Sequence, residues 1–305
     1  MPNIVNGLGQ VKVGVRTQVS GGGVITPLLD TYSGATAAYS LRKLRTDYTG
    51  YAIRVRRSFD STSKDIGFDA NGNLDTASIL SFILGGTAFV SIFYDQSGNG
   101  NNATQTTSSL QPLIAVGGVM YTVNGKPIIK SSLPGTIGYT YLNTPISTLQ
   151  SRPISIIQAG KIYALANNPY GSITCTLGGN VGGGLSGSRY AFTVSPTSFG
   201  IRRQNADGSA VDINNGSYTT NPYIQQGHFA SSLITNRFNG AEGTIAVLDT
   251  NQFTTTSNFI LMGGNLSNNF FFGNVGLFEN VFYLSDKTSD RSGIENNINS
   301  YYSIY

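Results

Sequence analysis

An all-β sandwich with a few short helices is the fold class this sequence predicts, and three observations predict it. Charged residues make up only 11% of the 305, whereas Gly (38), Tyr (17) and Phe (16) are abundant, a β-rich composition with few charges. Turn dipeptides recur at Asn124-Gly125, Asp207-Gly208, Asn215-Gly216 and Asn239-Gly240, where residues that tolerate positive φ close hairpins. Apolar, strand-like runs stand at Ile154 to Ile157, Thr244 to Leu248, Phe259 to Met262 and Val275 to Leu284.

Residues 1–27 alternate weakly through Val11, Val13 and Val15 and then pass into Gly21, Gly22 and Gly23. A triple glycine weakens strand pairing and packs nothing, so it reads as a hinge. The expectation is an N-terminal assembly arm over 1–27, able to add a strand to a neighbouring subunit, followed by one sandwich domain over 28–305. The alternative is a first strand of the same sandwich.

Next, Ala38, Leu41, Leu44 and Tyr48 recur at three- and four-residue intervals, which predicts a helix over Ala35 to Tyr48 ended by Gly50. The strand Ala52 to Arg57 follows. It places Arg54 and Arg56 on one face, opposite Ile53 and Val55, as a solvated face or a seat for a neighbouring carboxylate. Asp75, closing the polar turn Asp69 to Asp75, caps a short helix through Phe82. Ala88 to Tyr94 reads as a central strand covered on both sides. Asn124-Gly125 closes a hairpin between Tyr121 and Ile129. Between 130 and 240 the pattern does not resolve individual strands. Beyond 275 come a strand, a polar cap and a short amphipathic helix.

One stretch carries a family likeness. Residues 28 to 105 include LLDTYSGATAAYSLRKLRTDYTGYAIRVRR and close with YDQSGNGNNATQ. They resemble the opening of the catalytic domain of arabinofuranosidase B-type glycoside hydrolases. The C-terminal strand and helix resemble the closing elements of concanavalin-like (laminin G-type, jelly-roll) sandwiches. The resemblance implies a retaining glycosidase, which needs a nucleophilic carboxylate and an acid/base carboxylate ~5 to 5.5 Å apart. In the family the nucleophile is a mid-domain glutamate, and the acid/base is an aspartate in a Gly-Gly-Asp turn. Here the first glutamate is Glu242, and the turn reads Gly263-Gly264-Asn265. An amide has no titratable proton, and losing a general acid alone removes ~10²- to 10⁴-fold of rate. Asp207 and Asp212 are the aspartates that could stand in. Cys175 is the only cysteine, so the family's vicinal cysteine pair cannot form.

Other chemistry is sparse. Asp95, Asn99 and Asn101 have the alternate oxygen-bearing spacing of a calcium loop, with Gly100 at its sixth position. The twelfth position is Thr106 instead of a bidentate glutamate, so the stretch reads first as a strand-ending turn, with calcium as its alternative cofactor. His228 is the only histidine, which rules out a multi-histidine metal centre, and no nucleophile elbow accompanies it. There is no P-loop or dinucleotide fingerprint. With no Trp in the chain, the sugar-stacking candidates are Tyr139 with Tyr141 and Tyr301 with Tyr302. Phe270 to Phe272 read as core or subunit contacts. The glycan-binding candidates are Asn265, Asp95, Tyr139 and Tyr141.

The net charge of +4 is scattered and gives no nucleic-acid stripe, and no apolar run reaches the ~20 residues of a membrane span. The start lacks the pattern of an export signal. With the absent carboxylates and the hinged arm, these features lead to one expectation. The chain is a non-enzymatic structural protein of a bacteriophage virion surface, assembled in the host cytoplasm, whose segments also resemble phage structural proteins. Its expected partners are other virion proteins, further copies of itself and host glycans. The alternative is a carbohydrate-binding or degenerate arabinofuranosidase-like domain, extracellular or at a bacterial surface.

Overall fold

The computed structural model describes residues 25–131, 140–146, 153–165, 172–178, 189–204, 210–230, 233–247, 259–262 and 274–305. In chain order, β1 (Ala37–Ser40), β2 (Ile53–Arg57), β3 (Ser63–Ile66) and β4 (Ala88–Phe93) come first. They are followed by β5 (Ala103–Thr104), β6 (Leu113–Val116) and β7 (Val119–Met120). The hairpin β8 (Thr122–Val123) and β9 (Lys126–Pro127) precedes β10 (Ile129–Lys130) and β11 (Leu142–Asn143). Longer strands then dominate: β12 (Ile154–Ala164), β13 (Ser172–Gly178), β14 (Arg189–Val194), β15 (Ser198–Gln204) and β16 (Ala210–Ser217). The last are β17 (Pro222–Phe229), β18 (Leu233–Phe238), β19 (Ala241–Val247), β20 (Phe259–Leu261) and β21 (Asn274–Tyr283). Helices are α1 (Leu28–Thr31), α2 (Thr76–Ile83) and α3 (Arg291–Tyr302).

Two antiparallel layers result. One runs β19-β18-β17-β12-β21, with β1 and β10 both on the far edge of β21. The other runs β16-β15-β14-β13-β20-β11-β5-β4-β2-β3. Strand β6 pairs with both β10 and β4 and so joins the layers. Between them lies the main core, with Tyr39, Phe93, Phe192, Phe199, Leu261 and Phe282 fully or almost fully buried. A second core forms where α1 and α3 cover the outer face of the first layer, Ile294, Ile298 and Tyr302 packing with Ala38, Ile157 and Val281. No helix among the described residues is long and apolar enough to cross a membrane.

The local chemistry of several elements is as their residues dictate. Asp75 caps α2, its carboxylate accepting the Ser78 amide at 2.9 Å. Asn124 (φ 52°) and Gly125 (φ 74°) close the β8–β9 hairpin in the left-handed region its two-residue turn requires. Asn239-Gly240 closes β18–β19 in the same way. Asn215-Gly216 is instead a bulge inside β16, where the register with β15 slips between Ser198 and Gly200. Asp207-Gly208 lies outside the described residues.

The expected helix over Ala35 to Tyr48 is a strand followed by an extended turn. Ala37 to Ser40 pair with β21, from Ala37 opposite Phe282 to Ser40 opposite Glu279. All four are buried, Ala37 and Tyr39 in the inter-sheet core and Ala38 beneath the helices. Burial on both faces is what produced an apparent helical stripe, because continuous apolar cover satisfies a period of 3.6 as well as a period of 2.

The other edge of β1 is closed by side chains of the 95–101 loop. Asp95 Oδ1 accepts the Ala38 amide at 2.8 Å, and the Gln96 side-chain amide donates to Ser40 and Arg42 carbonyls. Asn99 donates to Ala35 O and Thr36 O, and Asn101 also donates to Thr36 O. Exposed strand edges need such cover, since their backbone groups otherwise lack partners.

Candidate functional site

The face of the second layer turned away from the core presents one continuous register row. Strand alternation places Ile53, Phe93, Ala103, Leu142, Leu261, Phe192 and Ile201 in the core, so their sequence neighbours point to the opposite face. Cross-strand partners follow in line: Asp65, Arg54, Ile92, Thr104, Asn143 and Ile260. Thr176 continues the register on the backbone, then Ala191, Arg202 and Asp212.

Each end of the row is an ion pair. Arg54 Nε and Nη2 both donate to Asp65, at 2.7 Å each, and the Tyr94 hydroxyl adds a third donor at 2.6 Å. The Arg54 hydrogen bonds hold the Asp65 carboxyl below its usual range, while burial and then Asp65 push the Tyr94 hydroxyl up to about 12. Arg202 grips Asp212 by the same two-pronged contact, at 2.6 Å each. Beside the first pair, Arg56 donates to Gln111 at 2.7 Å and lies over the Phe89 ring. Midway, the buried Asn143 Oδ1 has no hydrogen-bond donor among the described residues.

At this row β20 ends in strain. Met262, buried, takes φ 68°, the left-handed region that side chains other than glycine rarely occupy, and its amide donates to Thr174 O at 2.9 Å. Such strain concentrates at functional sites. It stands one residue before Gly263-Gly264-Asn265.

The expected site residues are distributed unevenly. Asp95, Asn99 and Asn101 are together, but both Asp95 oxygens are engaged within the fold, accepting from Ala38 N, Ser97 N, Ser97 Oγ and Asn101 N. Among the described residues no three His, Cys, Asp or Glu side chains gather as a metal site. Tyr141 lies apart from that loop, its amide bonded to Leu110 O and its carbonyl accepting from Gln105. Tyr302 is buried, and Tyr301 is half-buried against Arg42 and Lys126, so neither is an open stacking platform. Asn265, Tyr139, Asp207, Phe270 to Phe272 and the arm residues Val11, Val13, Val15, Gly21, Gly22 and Gly23 lie outside the described residues. The carboxylate expected beside Arg54 is Asp65, whereas the Arg202–Asp212 pair was not singled out from sequence. In the observed register Gln204 faces Ala210 and Arg202 faces Asp212, whereas a two-residue turn at Asp207-Gly208 would have set Arg202 opposite Ile213, so counting outward from that dipeptide misses the pair by one residue.

The family model described as alpha-L-arabinofuranosidase B, catalytic, matches residues 30–139. A probable alpha-L-arabinofuranosidase B of Aspergillus flavus is 33% identical over 133 residues, 40% of this chain and 25% of that protein. The Aspergillus oryzae alpha-L-arabinofuranosidase B is similar to the same extent. The match thus spans a quarter of the length of these curated relatives. Among solved structures, a mutant GH54 arabinofuranosidase soaked with 4-nitrophenyl arabinofuranoside superposes with a TM-score of 0.63 at 17% identity, covering 89% of this chain and 64% of its own. An arabinofuranosidase complexed with arabinofuranosyl-alpha-1,2-xylobiose gives 0.55 at 17% identity and the same coverage.

These findings overturn the expected reading as a non-enzymatic virion component. They point to a glycoside hydrolase or other carbohydrate-active protein. In sequence, residues 30–139 are similar to the arabinofuranosidase B catalytic domain, and the sandwich has the fold of the GH54 arabinofuranosidase structures.

Proposed function

We propose that this chain is a carbohydrate-active protein of the glycoside hydrolase type, acting on glycans that bear arabinofuranosyl groups. The observation that carries the reading is the family match over 30–139, with relatives named as arabinofuranosidases at 33% identity. The partly exposed ion pairs at the two ends of the row, Arg54–Asp65 and Arg202–Asp212, support it as polar groups a saccharide can reach, whereas Ile260 and Ala191 between them are buried.

Asp65 and Asp212 cannot themselves be the catalytic pair. They stand at opposite ends of the row, nine strand spacings or about 43 Å apart along the sheet, whereas glycosidase carboxylates sit ~5 to 10 Å apart. The aspartates that remain as candidates are Asp207 and Asp212, the two that the sequence offers in place of the family's carboxylates.

The test is release of 4-nitrophenol from 4-nitrophenyl α-L-arabinofuranoside, run beside calorimetric titration with arabinofuranosylated xylo-oligosaccharides. Hydrolysis above the uncatalysed rate, abolished by Asp207→Asn or Asp212→Asn, is expected. Asn265→Asp, which restores a titratable group at the position the motif gives to the acid, is expected to raise the rate by roughly 10²-fold. Neither hydrolysis nor saturable binding in the wild-type protein would overturn the reading.

A further inference from the structure

A second polar recess lies away from the register row, between α1, the turn after β1 and the 95–101 loop. It encloses about 420 Å³ and falls within the ~300 to 1,000 Å³ typical of small-molecule sites. Its floor is apolar, from buried Leu29 and Ala35, and its walls carry Asp30, Arg45, Asp47 and Ser33.

The polar groups are held in place before any ligand arrives. Asp30 accepts both the amide and the hydroxyl of Thr46, the latter at 2.6 Å, which fixes one carboxylate at the rim. Arg45 donates through Nε and Nη2 to Asp47 and through Nη1 to Ser97 O at 3.0 Å. Gly98 makes that approach feasible, since a Cβ there would lie 2.8 Å from Arg45 Nη1. Asp47 remains 69% exposed and keeps acceptor capacity beyond its two bonds to Arg45.

We propose that this recess binds a single neutral sugar unit through a vicinal diol, the hydroxyls donating to Asp47 and Asp30 and accepting from Arg45. A carboxylate beside a planar guanidinium offers acceptors and donors at the spacing of adjacent ring hydroxyls, and the apolar floor suits the C–H face of a sugar ring. The net charge of the set, two carboxylates against one guanidinium, disfavours an anionic ligand. The site is separate from the register row and does not depend on any hydrolytic activity.

The experiment is amide NMR titration of the full chain with L-arabinose and with D-xylose, using 1,3-propanediol as a control without a vicinal pair. Saturable shifts at Gly34, Thr46 and Ser97, half-complete in the millimolar range, are expected with the sugars and not with the control. Asp47→Ala and Ser33→Trp, which alter exposed lining residues, are expected to weaken these shifts at least tenfold while the rest of the spectrum is unchanged. In Arg202→Ala, altered on the register row, the recess shifts should persist. Absence of saturable shifts in the wild type would overturn the proposal, as would unweakened shifts in both recess variants or their loss in Arg202→Ala. Loss of the hydrolytic reading alone would leave these outcomes unchanged.

Discussion

The molecule uses the same bidentate arginine–carboxylate pair in two settings, and the contrast separates architecture from accessible chemistry. Arg42 and Glu279 are 3% and 1% exposed, and Glu279 also takes the Ser40 hydroxyl at 2.8 Å with Tyr302 close by. Burial alone would depress the Arg42 guanidinium, but Glu279 outweighs it and holds the group above its ordinary value. Arg202 and Asp212 make an equally close pair while 26% and 40% exposed, as do Arg54 and Asp65 at 41% and 24%. A buried pair cannot give up a partner without stranding a charge, whereas an exposed pair exchanges its partner for water. The first kind joins the turn after β1 to β21. The second leaves charge on a face where a ligand can reach it.

The largest expected effect breaks the buried pair. Glu279→Gln leaves the Arg42 charge without its counter-ion under α3, and should cost about 3 to 5 kcal/mol in urea unfolding. The double variant Arg42→Met with Glu279→Leu should lose clearly less, because no isolated charge remains. If the double variant is as unstable as the single one, the stabilisation comes from packing and hydrogen bonding around the pair, and the distinction between the two settings collapses.

A group buried without a counter-ion sharpens the comparison through pH. The Ser155 hydroxyl donates to Ser285 O and accepts the Lys287 amide, so its one proton is spent and His228 Nδ1 must be the donor in their 2.9 Å contact. Nε2 is then an unprotonated, buried acceptor. Burial pulls the His228 value from 6.5 down to about 4, with Asp286 opposing and Arg291 reinforcing the shift, and Glu242 and Arg237 as smaller contributions. The folded value is depressed, so the unfolded chain takes up the proton first. Stability is therefore full above about pH 6.5 and falls as the pH drops towards 4, by about 3 kcal/mol from this group. His228→Gln should flatten that segment of the stability profile. An unchanged profile would mean that His228 does not carry it.

How much of this was legible depended on whether the chemistry was local. The Asn124-Gly125 hairpin, the Asp75 cap and β21 with α3 each depend on residues within a few positions, and the sequence displayed them. Strand β1 was misread because its cover comes from β21, α3 and the Gln96 side chain, all remote in sequence. The 95–101 loop drew attention for its oxygens, yet the Asn99 and Asn101 amides are spent as donors closing the β1 edge, which only the fold reveals. The register row as a whole was invisible for the same reason, although Arg54 alone was read as a seat for a carboxylate. Its members come from strands scattered between residues 54 and 260, and alternation along any one strand says nothing about which strand lies beside it.

The smallest expected stability effect belongs to the exposed pairs and is the most telling for function. Arg202→Ala should change unfolding by under about 1 kcal/mol, since an exposed pair gains little over water and is screened by salt. Arg54→Ala, freeing Asp65 and Tyr94 at the opposite end, should do the same. If the row engages an extended saccharide, both substitutions should lower affinity for arabinofuranosylated xylo-oligosaccharides several-fold while the fold stays intact, as measured by calorimetry beside urea unfolding. Binding that stays unchanged in both variants would remove the row from ligand contact. A stability loss approaching that of Glu279→Gln would instead place these pairs with the architecture, because only a charge that water cannot reach costs that much to strand.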